Sequence, residues 1–504
     1  MVKSFVYLVG AGPGRADLIT VRGAEVIKKA DCIIYDKLAN PALLKFARAD
    51  AEIIHVPKRI GGSSVTQEEI NKLLIEKTSG GRIVVRLKGG DPCIFGRVAE
   101  ELAVLIEEGI GFEIVPGITA GIAVSAYAGI ILTDREYSSQ VVFVTGREAE
   151  GKQDSNIDWH LLAKFRGTIV FYMGVGNLSL IAKRLIENGM AADTPAAVVA
   201  DATFPTQRVV KATLSDVSEK CKRQGIEPPA IIIIGTSADS STHLNWFMKK
   251  PLFGKNIVVT RDNVGNADFA AKIISRCGNP VEFATIKIKP LTETNDFLRM
   301  LAKVTEYDWI IFTSGNGVTI FFKALQDLGK DARVFGSTKI AAIGGKTAAK
   351  LSEFGVKADF IPGVFTSKEL GRQLTACTNL RGKKVLLLRS KIASNELVEL
   401  LTGAGAVVQD VAVYTAVEQK SECAWLVEEI SKGRIDWLTF ASPSSVNGFF
   451  EQIRSDLVNS ANVKVASIGP VTSERLKTLG VRIDVIAADH TLDGLLDAIE
   501  QTYK

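Results

Sequence analysis

Histidine is scarce: the 504 residues hold only His55, His160, His243 and His490, no two of them four apart, so a zinc or two-histidine iron site has little to be built from. Cysteine is equally scattered. Cys32, Cys93, Cys221, Cys277, Cys377 and Cys423 include no C-x-x-C pair, which argues against a zinc ribbon or a dithiol motif and for reduced core thiols. No block of lysine and arginine occurs, and the net charge is only +5, which argues against a nucleic-acid stripe or a polybasic membrane anchor. A mild positive balance still suits an anionic substrate. No uncharged apolar run approaches the ~20 residues a membrane-crossing helix needs. Phe5–Val9 follows Met1 with no basic segment and no cleavage-like site, so a first strand is expected there rather than a leader. These absences together predict a soluble, cytoplasmic protein with no metal.

What is there is ordinary globular material, 46% hydrophobic and 23% charged, with 44 glycines against 15 prolines. The length exceeds one hydrophobic core and predicts several units of ~100–200 residues. Apolar, β-branched runs recur at Phe5–Val9, Cys32–Tyr35, Ile83–Leu87, Val141–Thr145, Thr168–Tyr172, Ala196–Val199 and Ile231–Ile234. They read as strands of mostly parallel, buried sheets. Gln67–Lys77, Arg97–Glu108 and Leu178–Asn188 carry helical periodicity and read as crossover helices of an α/β architecture. After Ile234 the pattern lapses into a Ser/Thr-rich stretch ending Lys249-Lys250-Pro251, which marks the main boundary.

Beyond it the chain repeats itself. Asp308-Trp309-Ile310-Ile311-Phe312-Thr313-Ser314 returns as Asp436-Trp437-Leu438-Thr439-Phe440-Ala441-Ser442, and Lys339–Val356 returns as Lys464–Val481. Gly254–Arg261 likewise returns as Gly382–Arg389. A period this long is not a solenoid; it predicts two pseudo-symmetric lobes with a cleft between them.

Gly10-Ala11-Gly12-Pro13-Gly14 follows the first strand, but Arg15 stands where a dinucleotide fingerprint needs its third glycine, and Pro13 removes a backbone donor. A cofactor without phosphates fits this turn better. Asp36 ends the second strand, Arg86-Leu87-Lys88-Gly89-Gly90-Asp91-Pro92 ends another, and Val115-Pro116-Gly117-Ile118-Thr119-Ala120-Gly121 opens a helix. Glycines at strand ends let a ligand approach bare backbone. With Phe95-Gly96-Arg97 and Tyr172-Met173-Gly174 the series resembles the tetrapyrrole methylases. Val85–Pro92 and Thr194-Pro195 with Gln207-Arg208-Val209-Val210 are similar to uroporphyrinogen-III C-methyltransferase in particular.

The resemblance covers about residues 3–247. It implies a tetrapyrrole-methylase fold of two α/β subdomains, about 1–115 and 116–247, and a homodimer through this half. It also implies an S-adenosyl-L-methionine pocket touched by Pro13, Gly89, Gly90, Asp91, Ile94, Thr119, Ala120, Met173 and Ala202. Asp36 and Lys58 fall where the family has its proton acceptor and donor. Three residues depart from the family pattern: Asp134 and Arg147, each where a histidine is usual, and Ala202 in place of a glycine.

In the second half, Thr313-Ser314-Gly315-Asn316, Gly344-Gly345-Lys346-Thr347, Arg389-Ser390-Lys391, Ser442-Pro443-Ser444-Ser445 and Gly469-Pro470-Val471-Thr472 each lie between an apolar strand and a helix. Hydroxyls and free amides at helix N-termini suit a substrate with many carboxylates. Ile311–Ser314, Ala342-Ile343-Gly344 with Thr347, Ile468-Gly469-Pro470 with Thr472, and Val411-Ala412-Val413-Tyr414 resemble uroporphyrinogen-III synthase. That family implies a two-lobed α/β fold over 255–504, after a 248–254 linker. One lobe would be about 255–287 plus 418–504 and the other about 288–417, with hinges near Ile288-Lys289-Pro290 and Val413-Tyr414-Thr415. It implies hydroxymethylbilane as substrate, held by Thr313, Ser314, Thr347, Ser442, Ser444 and Thr472, with Tyr414 assisting hydroxyl loss. The expectation is a bifunctional enzyme that makes uroporphyrinogen III and methylates it at C2 and C7 to precorrin-2. The alternative is a methylase of a later precorrin fused to a porphyrinoid-binding module without activity.

Overall fold

The computed structural model describes residues 4–56, 65–148, 155–239 and 244–503. Two compact units divide the chain: Met1–Lys255 with Ile273–Asn279 and Tyr503–Lys504, and Asn256–Lys272 with Pro280–Thr502.

In the first unit, β1 (Phe5–Gly10), β2 (Cys32–Asp36), β3 (Glu52–Val56), β4 (Ile83–Lys88) and β5 (Gly111–Val115) form a sheet ordered β3-β2-β4-β1-β5. Every neighbouring pair is parallel. Side chains alternate across it, so Val9, Ile33, Val85 and Leu87 join one buried cluster and Leu8, Ile34 and Val84 another. Burial on both faces is why these strands read as unbroken apolar runs. All four ladders start together, so the ends of β1, β2 and β4 lie along one edge.

The second sheet, ordered β6-β7-β10-β8-β9, is built from β6 (Val141–Thr145), β7 (Thr168–Tyr172), β8 (Pro195–Ala200), β9 (Arg208–Thr213) and β10 (Ala230–Ile234). The expectation of mostly parallel pairing fails here: only β6 and β7 are parallel, while β7/β10, β10/β8 and β8/β9 are antiparallel. The connection from Ala200 to Arg208 is too short for a crossover helix, which forces β8 and β9 to pair as a hairpin. Residues 244–254 pack on this unit. The ring of Phe247 meets Tyr127 and Phe253 edge-on, and Leu252 is fully buried.

The second unit holds β11 (Asn256–Val259), β12 (Asn279–Glu282), β13 (Ile286–Pro290), β14 (Trp309–Phe312), β15 (Lys339–Ala342), β16 (Lys384–Ser390), β17 (Val407–Glu418), β18 (Trp437–Phe440), β19 (Lys464–Ser467) and β20 (Val485–Ile486). They form two sheets, β12-β11-β18-β19-β20 and β13-β17-β16-β14-β15. The internal repeat is visible in both: β11-β18-β19 in one has the order of β16-β14-β15 in the other. The match extends to side chains. Asp308 accepts from Lys384 N–H (2.9 Å) as Asp436 accepts from Asn256 N–H (2.8 Å), and Asp359 and Asp484 each hold a strand amide at 2.7 Å.

The chain passes from one sheet to the other at 283–285 and again after Glu418, where Gln419 N–H donates to the Thr285 carbonyl (3.0 Å). Ile288-Lys289-Pro290 and Val413-Tyr414-Thr415 lie just inside these crossings. Lys289 and Pro290 pair with Thr415 and Tyr414 in the antiparallel β13/β17 ladder.

Candidate active sites

At the edge where β1, β2 and β4 end, the glycine turn after β1 and the loop after β4 are laced together. Ala11 N–H donates to the Lys88 carbonyl (2.7 Å), and Gly12 and Gly90 exchange two backbone bonds (3.2 and 2.8 Å). The backbones approach so closely that a Cβ on Gly117 would sit 2.3 Å from the Gly90 carbonyl oxygen and 2.7 Å from the Gly10 Cα. Only glycine fits there. Asp91 braces the same junction: one carboxylate oxygen accepts from Cys93 N–H (2.8 Å), the other from Gly117 N–H (2.9 Å). Its geometry ties loops together before any ligand is considered.

The second sheet contributes through Tyr172 at the end of β7. Its hydroxyl, buried and pushed to a higher pKa by that burial, bonds Thr119 Oγ1 (2.8 Å) and accepts from Gly121 N–H (2.8 Å). It thereby fixes the start of helix Ala120–Ala128. Ala202, nearly buried, shares an apolar cluster with Tyr172, against which Ala120 packs. Arg15 N–H donates to Thr203 Oγ1 (3.0 Å) and links the Pro13 turn to the same loop. Met173 and Ile94 stay exposed. Among the described residues six non-glycine residues have positive φ, and five of them (Phe95, Arg97, Met173, Asp201, Thr203) lie in these loops. Such strain concentrates where a surrounding structure holds a site ready.

The structure therefore brings Pro13, Gly89, Gly90, Asp91, Ile94, Thr119, Ala120, Met173 and Ala202 into one system of contacting loops. Asp36 stands beside them, at the end of β2. Its Oδ1 accepts from Arg86 Nη2 (2.6 Å). Arg86, wholly buried, also meets Glu101 (3.2 Å), and Glu101 accepts both carboxylate bonds from Lys88 Nζ at 2.8 Å. Gln67 Nε2 adds a third donor to Glu101 (3.2 Å). Buried Glu101 and partly exposed Asp36 thus balance two cations; burial nevertheless pushes the Lys88 pKa down, with Glu101 opposing. Lys58 lies outside the described residues. Asp134 caps a turn, accepting from Glu136 N–H (2.8 Å) and exchanging backbone bonds with Ser138.

In the second unit the parallel strands β14, β15 and β16 end along one edge, each running into one of the expected turns. Ser314 N-caps helix Gly315–Asp327 by accepting from Gly317 N–H (3.0 Å). Tyr414, level with Ser390 in the β16/β17 ladder, donates its hydroxyl to Ser314 Oγ (3.0 Å). Burial raises its pKa. Thr313 Oγ1 reaches the Leu388 carbonyl (3.4 Å). In the other sheet Ser442 N-caps helix Pro443–Phe450 by accepting from Ser445 N–H (3.2 Å), and Ser444 sits in its first turn. Thr347 and Thr472 occupy matching first turns of helices Gly345–Glu353 and Pro470–Thr478 and are both buried. What those two turns offer a ligand is backbone N–H.

Sequence reasoning quoted Arg86, Lys88 and Tyr172 within motifs but gave them no role, and missed Glu101 altogether. Their partners lie on other elements, so no local pattern shows what they bond. Among the described residues no group of three or more His, Cys, Asp or Glu could hold a metal ion, and no helix is long and apolar enough to cross a membrane.

Comparisons with known proteins follow the same division. A family model described as Tetrapyrrole (Corrin/Porphyrin) Methylases matches residues 6–218, and one described as Uroporphyrinogen-III synthase HemD matches 267–497. The porphyrin biosynthesis protein HemD of Ruminiclostridium josui is 38% identical over 499 residues, 99% of this chain and 98% of its own. The uroporphyrinogen-III C-methyltransferase of Bacillus subtilis (strain 168) is 39% identical over 355 residues, 70% of this chain and 72% of its own. An S-adenosyl-L-methionine-dependent uroporphyrinogen III methyltransferase of Methanosarcina barkeri is 48% identical over 230 residues, 46% of this chain and 90% of its own.

Proposed function

The chain belongs to the family that joins a tetrapyrrole methylase to a uroporphyrinogen-III synthase, and on that premise we propose the order of its chemistry and the residues that perform it. It is a bifunctional enzyme of tetrapyrrole biosynthesis. Residues 255–504 close hydroxymethylbilane to uroporphyrinogen III; residues 1–247, joined through 248–254, methylate that product at C2 and C7.

The observation that carries the first activity is the laced edge at Gly10, Gly90 and Gly117, where backbones too close for any side chain hold strained loops together. This fits an adenosyl group without phosphates, held by the Pro13 turn, Gly89, Gly90, Ile94, Thr119, Ala120, Met173 and Ala202. Asp91 shapes the cradle from behind. S-adenosyl-L-methionine, when bound, supplies a sulfonium methyl group to an electron-rich ring carbon. Holding two reactants in a dry cleft supplies most of such an acceleration. Asp36 takes the proton the alkylated ring must lose; in support, its Oδ1 is fixed by Arg86 and its Oδ2 has no hydrogen bond among the described residues. A carboxylate needs only modest basicity for that task. Lys58 is proposed as the matching donor.

In the second unit, Ser442, Ser444 and the first-turn amide beside Thr472 on one sheet, and Thr313, Ser314 and the first-turn amide beside Thr347 on the other, bind substrate carboxylates. Tyr414 assists departure of the terminal hydroxyl. The reading extends to a homodimer through the methyltransferase half, supported by the family resemblance. It also extends to the cytoplasm, supported by six unpaired cysteines.

The test supplies the purified chain with hydroxymethylbilane alone. Type III product supports the synthase; only the type I isomer, as in the uncatalysed closure, refutes it. With S-adenosyl-L-methionine added, product two methyl groups heavier is expected, and Asp36→Ala should abolish that gain while sparing ring closure. Equal loss of both activities would contradict separate sites.

A further inference from the structure

Ser314 and Tyr414 share one hydrogen bond whose direction carries more than positioning. Ser314 Oγ accepts from the Tyr414 hydroxyl (3.0 Å) and from Gly317 N–H (3.0 Å). A hydroxyl oxygen has two lone pairs and one proton. Both lone pairs are engaged, so the Ser314 proton points away from both donors. Tyr414 is only 9% exposed, whereas Ser314 is half-buried at the end of β14, where the chain turns into a helix. The neighbouring hydroxyl of Thr313 is turned back onto the Leu388 carbonyl. Ser390 stands level with Tyr414 in the neighbouring strand, and the hydroxyls of Tyr414 and Ser314 form a chain from β17 to the N-terminus of the helix.

We propose that Ser314, not Tyr414, is the group that hands a proton to the departing hydroxyl of the bilane, with Tyr414 replenishing it. The inference rests on reading the second unit as a synthase. The carbon–oxygen bond of the hydroxymethyl group breaks with the electron pair going to oxygen, which leaves as water carrying the Ser314 proton. Ser314 takes the Tyr414 proton in the same motion. The pyrrole nitrogen lone pair fills the vacancy on carbon, so a methylene-pyrrole cation stands near a tyrosinate. When the ring carbon attacked in closure sheds its proton, that proton returns through Ser314 to Tyr414. No oxidant, metal or further reactant is required. Burial favours the neutral phenol, so the anion is stable only while the cation is beside it, which ties proton return to ring closure.

Three variants of the full-length chain separate relay from cap. Ser314→Asn keeps an N-cap acceptor for Gly317 N–H but has no hydroxyl to pass on. Ser314→Thr keeps both, and Ser314→Ala neither. The relay predicts that the rate of type III formation from hydroxymethylbilane falls about a hundredfold in both Ser314→Asn and Ser314→Ala, the scale of general acid catalysis. Ser314→Thr should recover most of that loss. Tyr414→Phe combined with Ser314→Asn should be no slower than Tyr414→Phe alone, since the two groups act as one. A Ser314→Asn rate within fivefold of the unsubstituted chain, or losses that multiply in the double variant, overturns the relay. Absence of type III product from the unsubstituted chain would instead overturn the synthase reading.

Discussion

Replacing Glu101 by glutamine keeps the shape of the side chain and removes the one charge that touches both Arg86 and Lys88. Glu101 is wholly buried and accepts from Lys88 Nζ with both oxygens at 2.8 Å. In Glu101→Gln an amide NH2 replaces one of those oxygens and faces the ammonium. Breaking a buried pair from one side costs about 3–5 kcal/mol. Lys88 can limit that loss by shedding its proton, a reaction that burial already favours. Doing so at pH ~7 costs ~1.4 kcal/mol for each unit below its unfolded value of ~10.4, or ~4–5 kcal/mol in all. The two routes agree in size, and the second has a pH signature. With Lys88 neutral when folded and charged when unfolded, the unfolded chain binds more protons. Stability of the variant therefore rises with pH until the unfolded lysine titrates. Between about pH 7 and about pH 9 the variant should regain ~2–3 kcal/mol relative to the unsubstituted chain. Pulse proteolysis across a urea series, reading survival of peptides from residues 83–115 by mass spectrometry, measures it at both values. An equal deficit at both pH values, or a loss below ~1 kcal/mol at pH ~7, would refute the charge-balance argument.

Two further substitutions probe the loop system. Gly117→Ala would drive a Cβ to within 2.3 Å of the Gly90 carbonyl. We expect methyl transfer to fall at least a hundredfold, on the order reported for ångström-scale misplacement, with type III ring closure unchanged; loss of both would contradict independent sites. Tyr172→Phe leaves the ring in place but strips Thr119 and Gly121 N–H of a buried partner, a cost of about 1–3 kcal/mol. If the start of helix Ala120–Ala128 serves cofactor binding, KM for S-adenosyl-L-methionine should rise roughly tenfold or more with a smaller change in kcat. A fall in kcat at constant KM would place Tyr172 in the chemistry instead.

The seven strands expected in the first half are all present, within a residue or so of their expected ends, because each spells an apolar run, and all but the edge strand β6 are largely buried. The three overlooked strands are β3, β5 and β9. β3 and β5 end the parallel sheet and β9 ends the mixed one; each carries charged or exposed residues, as in Glu52-Ile53-Ile54-His55-Val56. A short edge strand leaves little hydrophobic pattern. Parallel against antiparallel pairing in the second sheet was beyond reach for another reason. Strand composition reports burial and not direction, and only the short 201–207 connection betrays the hairpin. The duplication was legible because Asp-Trp repeats at both strand entries, and each aspartate anchors the neighbouring strand. Among the site residues, glycines and caps were legible because they act locally. The Arg86–Glu101–Lys88 cluster was not, since charged residues on a strand and a helix ordinarily face water.

The swapped pairing in the second unit also bears on how this chain can emerge from a ribosome. The Asn256 amide waits for Asp436, 180 residues further on, before β11 can settle beside β18. Synthesis at ~5–20 residues per second leaves that strand without its partner for about 10–35 s. Meanwhile the stretch from β13 to β17 is contiguous and can condense as soon as it is made. Assembly of this unit is therefore vectorial, inner lobe before outer. Truncations that stop short of β18 should release the inner lobe folded, with β11 left unpaired ahead of it.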